Sequence, residues 1–478
     1  MANNQRFFFA LLSVGAAIGI GNIFVLPYFE FDLSAMFFIQ YSIALIVLGA
    51  PLLMLEFSAG QFFDRNAVDL FASIRKGFGG IGWLMVFNAF IVMCIYAVAL
   101  AWHLIYFFVS FGLQWKSSPR EYFFSNVLQI SGFGSFAEFS LPVFIALAIS
   151  CTAIFFSIRK GYETAKKAFL GGVAVIAALM LLLLFYSLTL DNALEGVYSF
   201  LKPSFSEAFD LKNWLAAFSI AVLSLGISYG IMLSFARKIK NGFVVANSFI
   251  VIASELLVSV SLSLILFSLF GFLNARQRIG SLAFNDYGSL FITLTQALPL
   301  LYKPTLLSII FFAFLASFFM LAASALAYSV VYVLVHKFSA RHVQASILVC
   351  GSGFLLGLLF VIRPGYYIMD IVIHFIYYNI LIALLLEAFA IGWFFNSEKI
   401  AWHINKYSII KIGALWRFMI RYVTPSVLLL LLFFQLKSDL FNKYNNYPIW
   451  ALLVFGAGIV AIPILAAFLM PRRILDRK

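Results

Sequence analysis

Between residues 7 and 470 the chain divides, at charged and Pro/Gly-rich breaks, into twelve apolar runs near 7–29, 35–57, 83–112, 140–157, 167–189, 213–236, 243–272, 305–335, 344–362, 367–395, 415–436 and 448–470. About twenty apolar residues in helical form cross a bilayer, so each run is a candidate membrane span. A soluble core cannot absorb so much apolar surface, because 64% of the 478 residues are hydrophobic and 11% are charged. The expected fold class is all-α integral membrane, with 12 transmembrane helices, here numbered spans 1 to 12. Neither tail is long enough for a further domain, so 1–478 reads as a single domain.

The formal charge of +13 points away from nucleic acid once its placement is considered. Most of the 32 Lys and Arg residues lie in loops on one face: Arg6, Arg65, Arg75, Lys76, Arg159, Lys160, Lys166, Lys167, Arg237, Lys238, Lys240, Lys337, Arg341, the 399–421 cluster and Arg472 to Lys478. By the positive-inside bias that face is cytoplasmic, and an even number of spans puts both termini there. Asp32, Asp191, Glu195, Glu207 and Asp210 mark the other face. Cys94, Cys151 and Cys350 sit inside apolar runs without metal spacing and read as small buried hydrophobes. Five scattered histidines, no His-Glu-x-x-His pair and no phosphate-cradling glycine loop give no catalytic or metal constellation. Arg6 before a long run, with no small-residue cleavage pattern, reads as a retained first helix.

Two runs are interrupted by residues that suit a helix in lipid poorly. The first carries Gly15-Ala16-Ala17-Ile18-Gly19-Ile20-Gly21-Asn22 and then Pro27; the sixth carries Ser224-Leu225-Gly226-Ile227-Ser228-Tyr229-Gly230. Glycine weakens a helix interior by about 1 kcal/mol relative to alanine, and backbone groups freed in hydrocarbon need other partners. A single such stretch is equally a closely packed small-residue helix. Paired breaks opening two sets of five spans point instead to a 5+5 inverted repeat with broken helices 1 and 6 and a site at the membrane midplane, with repeats at 7–189 and 213–395 and spans 11 and 12 (415–470) outside them. The outer loop at 190–212 is polar and turn-rich; that at 273–304 is expected to hold short helices.

Several separate segments resemble the neurotransmitter:sodium symporter family, which includes the bacterial leucine transporter and small bacterial homologues. They are Gly15 to Pro27, Gly49 to Glu56, Ile95-Tyr96 followed by Trp102, Gly161 to Glu163 with Ser187 to Leu190, Ala193 to Gly196, Leu201 to Pro203 and Trp214, then Ser224 to Gly230, and Glu387, Trp393 and Lys399 to Trp402. The resemblance implies a first sodium site from the Ala17 carbonyl, the Asn22 side chain, the Ser224 hydroxyl and Glu255. It implies a substrate carboxylate held by amides near Ile20 and Gly21 and by the Tyr96 hydroxyl, in a pocket lined by Gly19, Val92, Leu223, Gly226, Tyr229, Ala323 and Ala327. Gly19 stands where amine-selective relatives carry an acid, which favours an amino acid over a monoamine. Glu255, where relatives usually have Asn or Asp, reads either as the structural partner of a polar neighbour or as a fixed anion replacing chloride.

The chain also departs from the family's pattern. The second sodium site of relatives, involving carbonyls at Gly15 and Ile18, pairs with two hydroxyls of span 8 where this chain has Ala322 and Ala323. Ser324 lies about 100° around the helix. That site is expected to be weak or absent. Val25 replaces the outer-gate Arg, leaving Asp370 and His374 one turn apart as gating candidates that either bond to each other, relay a proton, or find separate polar partners. Residues 1–5 lack the inner latch, and Asp32-Leu33-Ser34-Ala35 replaces a glycine run.

The sequence thus implies a single transporter domain in the cell membrane (a bacterial inner membrane), importing a small amino acid or related carboxylate-bearing solute with Na+ by alternating access. It implies no enzyme activity, no organic cofactor, no nucleic acid and no chloride requirement; the partners are substrate and lipid. A non-transporting or proton-coupled solute-binding relative is the alternative.

Overall fold

The computed structural model describes Ser13, Gly15 and residues 26–130, 132, 133, 138–203, 205–237, 243–275 and 287–470. Regular structure among them is helical, apart from one isolated bridge between Phe139 and Ile362. Ten of these helices are long and apolar enough to cross a membrane. They are Ala35–Phe63, Lys76–Val109, Leu141–Ile158, Tyr162–Ser187, Val244–Ala275, Pro304–Phe338, His342–Phe360, Gly365–Phe394, Gly413–Asn446 and Ile449–Leu469, matching spans 2–5 and 7–12. The sixth run forms two shorter helices, Leu211–Ser224 and Ile231–Ala236. Residues 16–25, the expected break of span 1, lie outside the described residues. In the long outer loop, Tyr287–Ala297 is helical and Leu298–Leu300 adds a 3-10 turn.

One boundary differs from expectation. A loop at 30–34 was expected between the first two runs, yet helix Leu26–Ala44 runs straight through it. No Gly or Pro occurs between Pro27 and Gly49, so no residue there stops the helix. The irregularity comes later, as a π turn at Leu45–Gly49 where the Ala50 amide reaches back to the Leu45 carbonyl. Pro51 follows, and a proline without an N–H favours such a shift in the ladder.

Span 3 is the central helix: 89% of its most apolar stretch is buried, and it packs along span 8. Spans 5 and 12 are peripheral, with 17% buried, and present Leu181, Phe185, Ile462 and Leu465 outward as a lipid-facing surface. Close approach is needed where span 2 meets the inner half of span 6. A Cβ on Gly60 would lie 2.5 Å from the Leu233 carbonyl oxygen, so only glycine fits there. Cys94, Cys151 and Cys350 are buried free thiols.

On the face assigned to the cytoplasm, the short helix Ala67–Ile74 starts at an Asn66 cap whose side chain accepts from the Asp69 N–H (3.0 Å) and donates to Asp69 Oδ2 (2.7 Å). Asp69 Oδ1 in turn accepts from Lys337 Nζ at 2.6 Å, at the end of span 8. Both partners are buried, the Lys337 side chain to 2% exposure. Beside them, Arg237, following span 6, bonds Asp64 and the Tyr332 hydroxyl. Removing one member of a buried pair strands the other charge. Lys337→Met is therefore expected to destabilise the chain by about 3–5 kcal/mol, and the Lys337→Met/Asp69→Asn double variant by clearly less. Thermal unfolding of the detergent-solubilised chain checks this; equal losses in both variants would refute it.

Candidate functional site

The break in span 6 gathers buried polar side chains from neighbouring helices. Its outer helix ends at Ser224, and the next six residues include three with positive φ: Gly226 (63°), Ser228 (70°) and Gly230 (67°). Serine adopts that region at a cost of about 1 kcal/mol, so its surroundings must hold it there. They do so from three other helices. The Ser228 amide donates to Glu56 Oε1 of span 2 (2.6 Å), Ser329 Oγ of span 8 donates to the Tyr229 carbonyl (2.7 Å), and Ser228 Oγ reaches the Ile380 carbonyl of span 10 (3.4 Å). Backbone groups released by the break thus find side-chain partners inside the protein, as a break at membrane depth requires.

At the end of the outer half-helix, three spans meet in a second polar cluster. The Tyr41 hydroxyl of span 2 donates to Glu255 Oε1 of span 7 (2.6 Å) and is hydrogen-bonded to Ser224 Oγ (2.8 Å). Ser259, one turn beyond Glu255, also reaches that hydroxyl. All four residues are buried. Two of the four expected first-site sodium ligands, Ser224 and Glu255, are therefore brought together, bridged by a tyrosine that the sequence reading did not single out. Ala17 and Asn22 lie outside the described residues, as do Gly19, Ile20 and Gly21. The cluster consists of hard oxygen donors, which suits an alkali cation better than a soft metal.

The expected pocket residues come from three helices. Val92 and Tyr96 are buried in span 3, Ala323 and Ala327 in span 8, and Gly226 and Tyr229 in the break, with Leu223 half-buried just before it. The Tyr96 ring packs edge-on to Phe319 at 5.8 Å, and Tyr96 and Tyr229 are within electrostatic reach of each other. Gly15 sits between spans 5 and 8: a Cβ there would come within 2.9 Å of the ends of Val173 and Leu321. Ile18 lies outside the described residues. In span 8, Ala322 and Ala323 are buried, while the Ser324 hydroxyl accepts from Ser157 of span 4 at 2.8 Å.

The two gating candidates have separate hydrogen-bond partners, with Tyr444 touching both. Asp370 accepts from the Tyr444 hydroxyl (3.0 Å), Asn445 Nδ2 (3.0 Å) and the Tyr447 hydroxyl (2.9 Å), all in the loop that follows the α-helical end of span 11 at Phe441 and leads to span 12. Burial, and then the Asp370 carboxylate, push the Tyr447 hydroxyl far above its ordinary range, so it stays a donor. His374 pairs with Asp439 at 2.9 Å, and its ring stacks on Tyr444 at 3.8 Å. His374 and Leu223 also line a cavity of about 890 Å³ between the outer half of span 6, span 10 and span 11, together with Lys212, Tyr377, Gln435 and Phe441. Of the expected pocket residues that are described, Leu223 alone borders it, which makes this cavity a lateral cleft.

Membrane-crossing helices around an interrupted one, with buried polar side chains gathered at the interruption, define a multi-pass membrane protein with an internal polar site. The chain belongs to the sodium:neurotransmitter symporter family, whose model matches residues 2–120 and 113–474. It is therefore a membrane transporter. It is 30% identical to an uncharacterized sodium-dependent transporter of Methanocaldococcus jannaschii, over 97% of this chain and 96% of that protein. It is 25% identical to a sodium- and chloride-dependent GABA transporter of Drosophila melanogaster, over 85% of this chain and 47% of that protein.

Ser329 is the simplest test of how the break is held. Ser329→Ala leaves the Tyr229 carbonyl buried without its donor, an expected cost of about 1–3 kcal/mol. Ser324→Ala, which removes a hydroxyl engaged only with its neighbour span, is expected to cost less. Thermal unfolding of the two variants side by side decides, and an equal or larger loss for Ser324→Ala would refute the assignment.

Proposed function

We propose that the protein is a sodium-driven symporter that imports a small amino acid or related carboxylate-bearing solute by alternating access. The observation that carries this reading is the buried meeting of Ser224, Tyr41 and Glu255 at the end of a half-helix. A carboxylate and hydroxyls at membrane depth suit a sodium ion, and an adjoining helix break offers amides and carbonyls to a carboxylate-bearing substrate. Sodium dependence in the names of both relatives supports the driving ion, and GABA in the Drosophila relative's name supports the substrate class. In this reading Ala17 and Asn22 complete the ion site. Gly19, Ile20, Gly21 and Tyr96 take the substrate carboxylate, and Val92, Leu223, Gly226, Tyr229, Ala323 and Ala327 shape the rest of the pocket.

The proposal extends to architecture. Twelve spans with a 5+5 inverted repeat, both termini cytoplasmic, would rock spans 1, 2, 6 and 7 against 3–5 and 8–10 in the cell membrane. The Drosophila relative is named chloride-dependent, but here Glu255 supplies a fixed negative charge beside the ion site, so chloride is not required. Gly15, Ile18, Ala322 and Ala323 form at most a weak second sodium site, because the nearest hydroxyl, Ser324, is engaged with Ser157. Asp370 and His374 are proposed as outer-gate residues working through the loop between spans 11 and 12.

In proteoliposomes, an inward sodium gradient is expected to drive accumulation from a mixed amino acid panel, unchanged when gluconate replaces chloride. No accumulation under any gradient would refute transport, and collapse in gluconate would refute chloride independence. In the purified chain, sodium at a hundredfold its dissociation constant stabilises a single-site binder by about 2.7 kcal/mol. Glu255→Gln is expected to raise the sodium concentration needed at least tenfold, read from thermal shifts against potassium.

A further inference from the structure

Glu56 and Glu387 are each fully buried, on spans 2 and 10, within electrostatic reach of one another. Glu56 Oε1 accepts from the Ser228 amide, but Glu56 Oε2 and both oxygens of Glu387 have no hydrogen-bond partner among the described residues. Two carboxylates within electrostatic reach, buried away from water with three of their four oxygens unpartnered, cannot both stay charged. Among the described residues, the charged and titratable groups on neighbouring elements are engaged elsewhere. Glu255 holds Tyr41, His403 lies 3.3 Å from Gln61, Arg421 donates to the Gly392 carbonyl, Arg237 holds Asp64, and His374 and Asp370 are tied to spans 11 and 12.

We propose that Glu56 and Glu387 form a proton-binding site that holds one exchangeable proton, carried on Glu387, against the break of span 6. The asymmetry of partners assigns it. Glu56 already receives a backbone N–H and is the better-stabilised anion, whereas Glu387 has no donor and is the better place for an O–H. A proton on Glu387 also supplies a donor where three carboxylate oxygens have none. Binding forms one O–H bond with a proton taken from water, and release returns it. Because Glu56 holds the Ser228 amide in its left-handed conformation, a second charge arriving on Glu387 acts directly on the break. Proton occupancy is thereby linked to the conformation of span 6. This site is separate from the proposed sodium site, and its test needs no transport.

Infrared difference spectroscopy of the purified full chain, between mildly acid and alkaline pH, reads the protonated-carboxyl stretch and its shift in D2O. The wild type is expected to show a band that disappears at alkaline pH, and E387Q is expected to remove it. E56Q takes away the neighbouring negative charge that favours the proton. It is expected to keep the band while proton affinity falls at least tenfold, moving the midpoint to lower pH. An unchanged band in E387Q, no such band in the wild type, or a midpoint moving to higher pH in E56Q would overturn the proposal. E56Q and the wild type remain decisive if E387Q does not fold.

Discussion

A helix opened inside hydrocarbon must have its freed amides and carbonyls met from within the protein, and here the Glu56 carboxylate bonded to the Ser228 amide does most to satisfy that demand. An ionised acceptor holds a backbone N–H more strongly than a neutral one. It also pins a serine at φ 70°, where that residue would otherwise not rest. The positions of Ser224 and Tyr229 on either side follow from this anchoring, and with them the direction in which the Ser224 hydroxyl faces Tyr41 and Glu255.

Around that anchor the polar contacts form three levels across the bundle. Ion pairs of Lys337 with Asp69 and Arg237 with Asp64 tie the inner ends of spans 2, 6 and 8. The Tyr41, Ser224 and Glu255 cluster and the Glu56 anchor hold the middle. Asp370 and His374 fasten the outer half of span 10 to span 11 and its following loop. Span 11 and the loop leading to span 12, which stand outside the proposed repeat, therefore supply the partners of both outer titratable groups, while span 12 adds lipid-facing surface. That gives them a structural reason to be present which their composition alone did not indicate.

What could be read beforehand divides along physical lines. The spans were legible because lipid demands long apolar runs, and the break in span 6 was legible because Gly226, Ser228 and Gly230 are locally costly in a helix. Glu255 stood out as an acid in an apolar run. Tyr41 did not, since a tyrosine in a span is unremarkable until the residue it faces, over two hundred positions away, is known. The pairing of Glu56 with Ser228 is equally long-range and leaves no local signal. The helix through 30–34 was missed because acidic and small residues at Asp32 to Ala35 look like a turn, whereas turn formation there lacks the glycine or proline that would enforce it. Asp370 was singled out as a gating candidate through the resemblance, but its partners lie in a loop some seventy residues on and leave no local signal.

The balance of buried charge gives these separate observations a common meaning. The chain as a whole is strongly basic, yet its interior is not. Among the described residues the buried acids are Glu56, Asp69, Glu255, Asp370 and Glu387, while the buried basic residues are Lys337 and His103. Lys337 is taken by Asp69, and His103 spends one ring nitrogen on the Ala99 carbonyl. The three glutamates at the middle level are thus left without a basic side chain to neutralise them, and a bilayer cannot supply the missing charge. Small cations from solution are the source of positive charge that the proposals above call on. The two occupants proposed above, a sodium ion at Glu255 and a proton at Glu387, are of the right size and hardness for a centre built of hydroxyls and carboxylates beside a helix break. In that proposal the placement of the acids links solution cations to the break: Glu56 bonds the Ser228 amide, Glu255 reaches Ser224 through Tyr41, and Glu387 lies within electrostatic reach of Glu56.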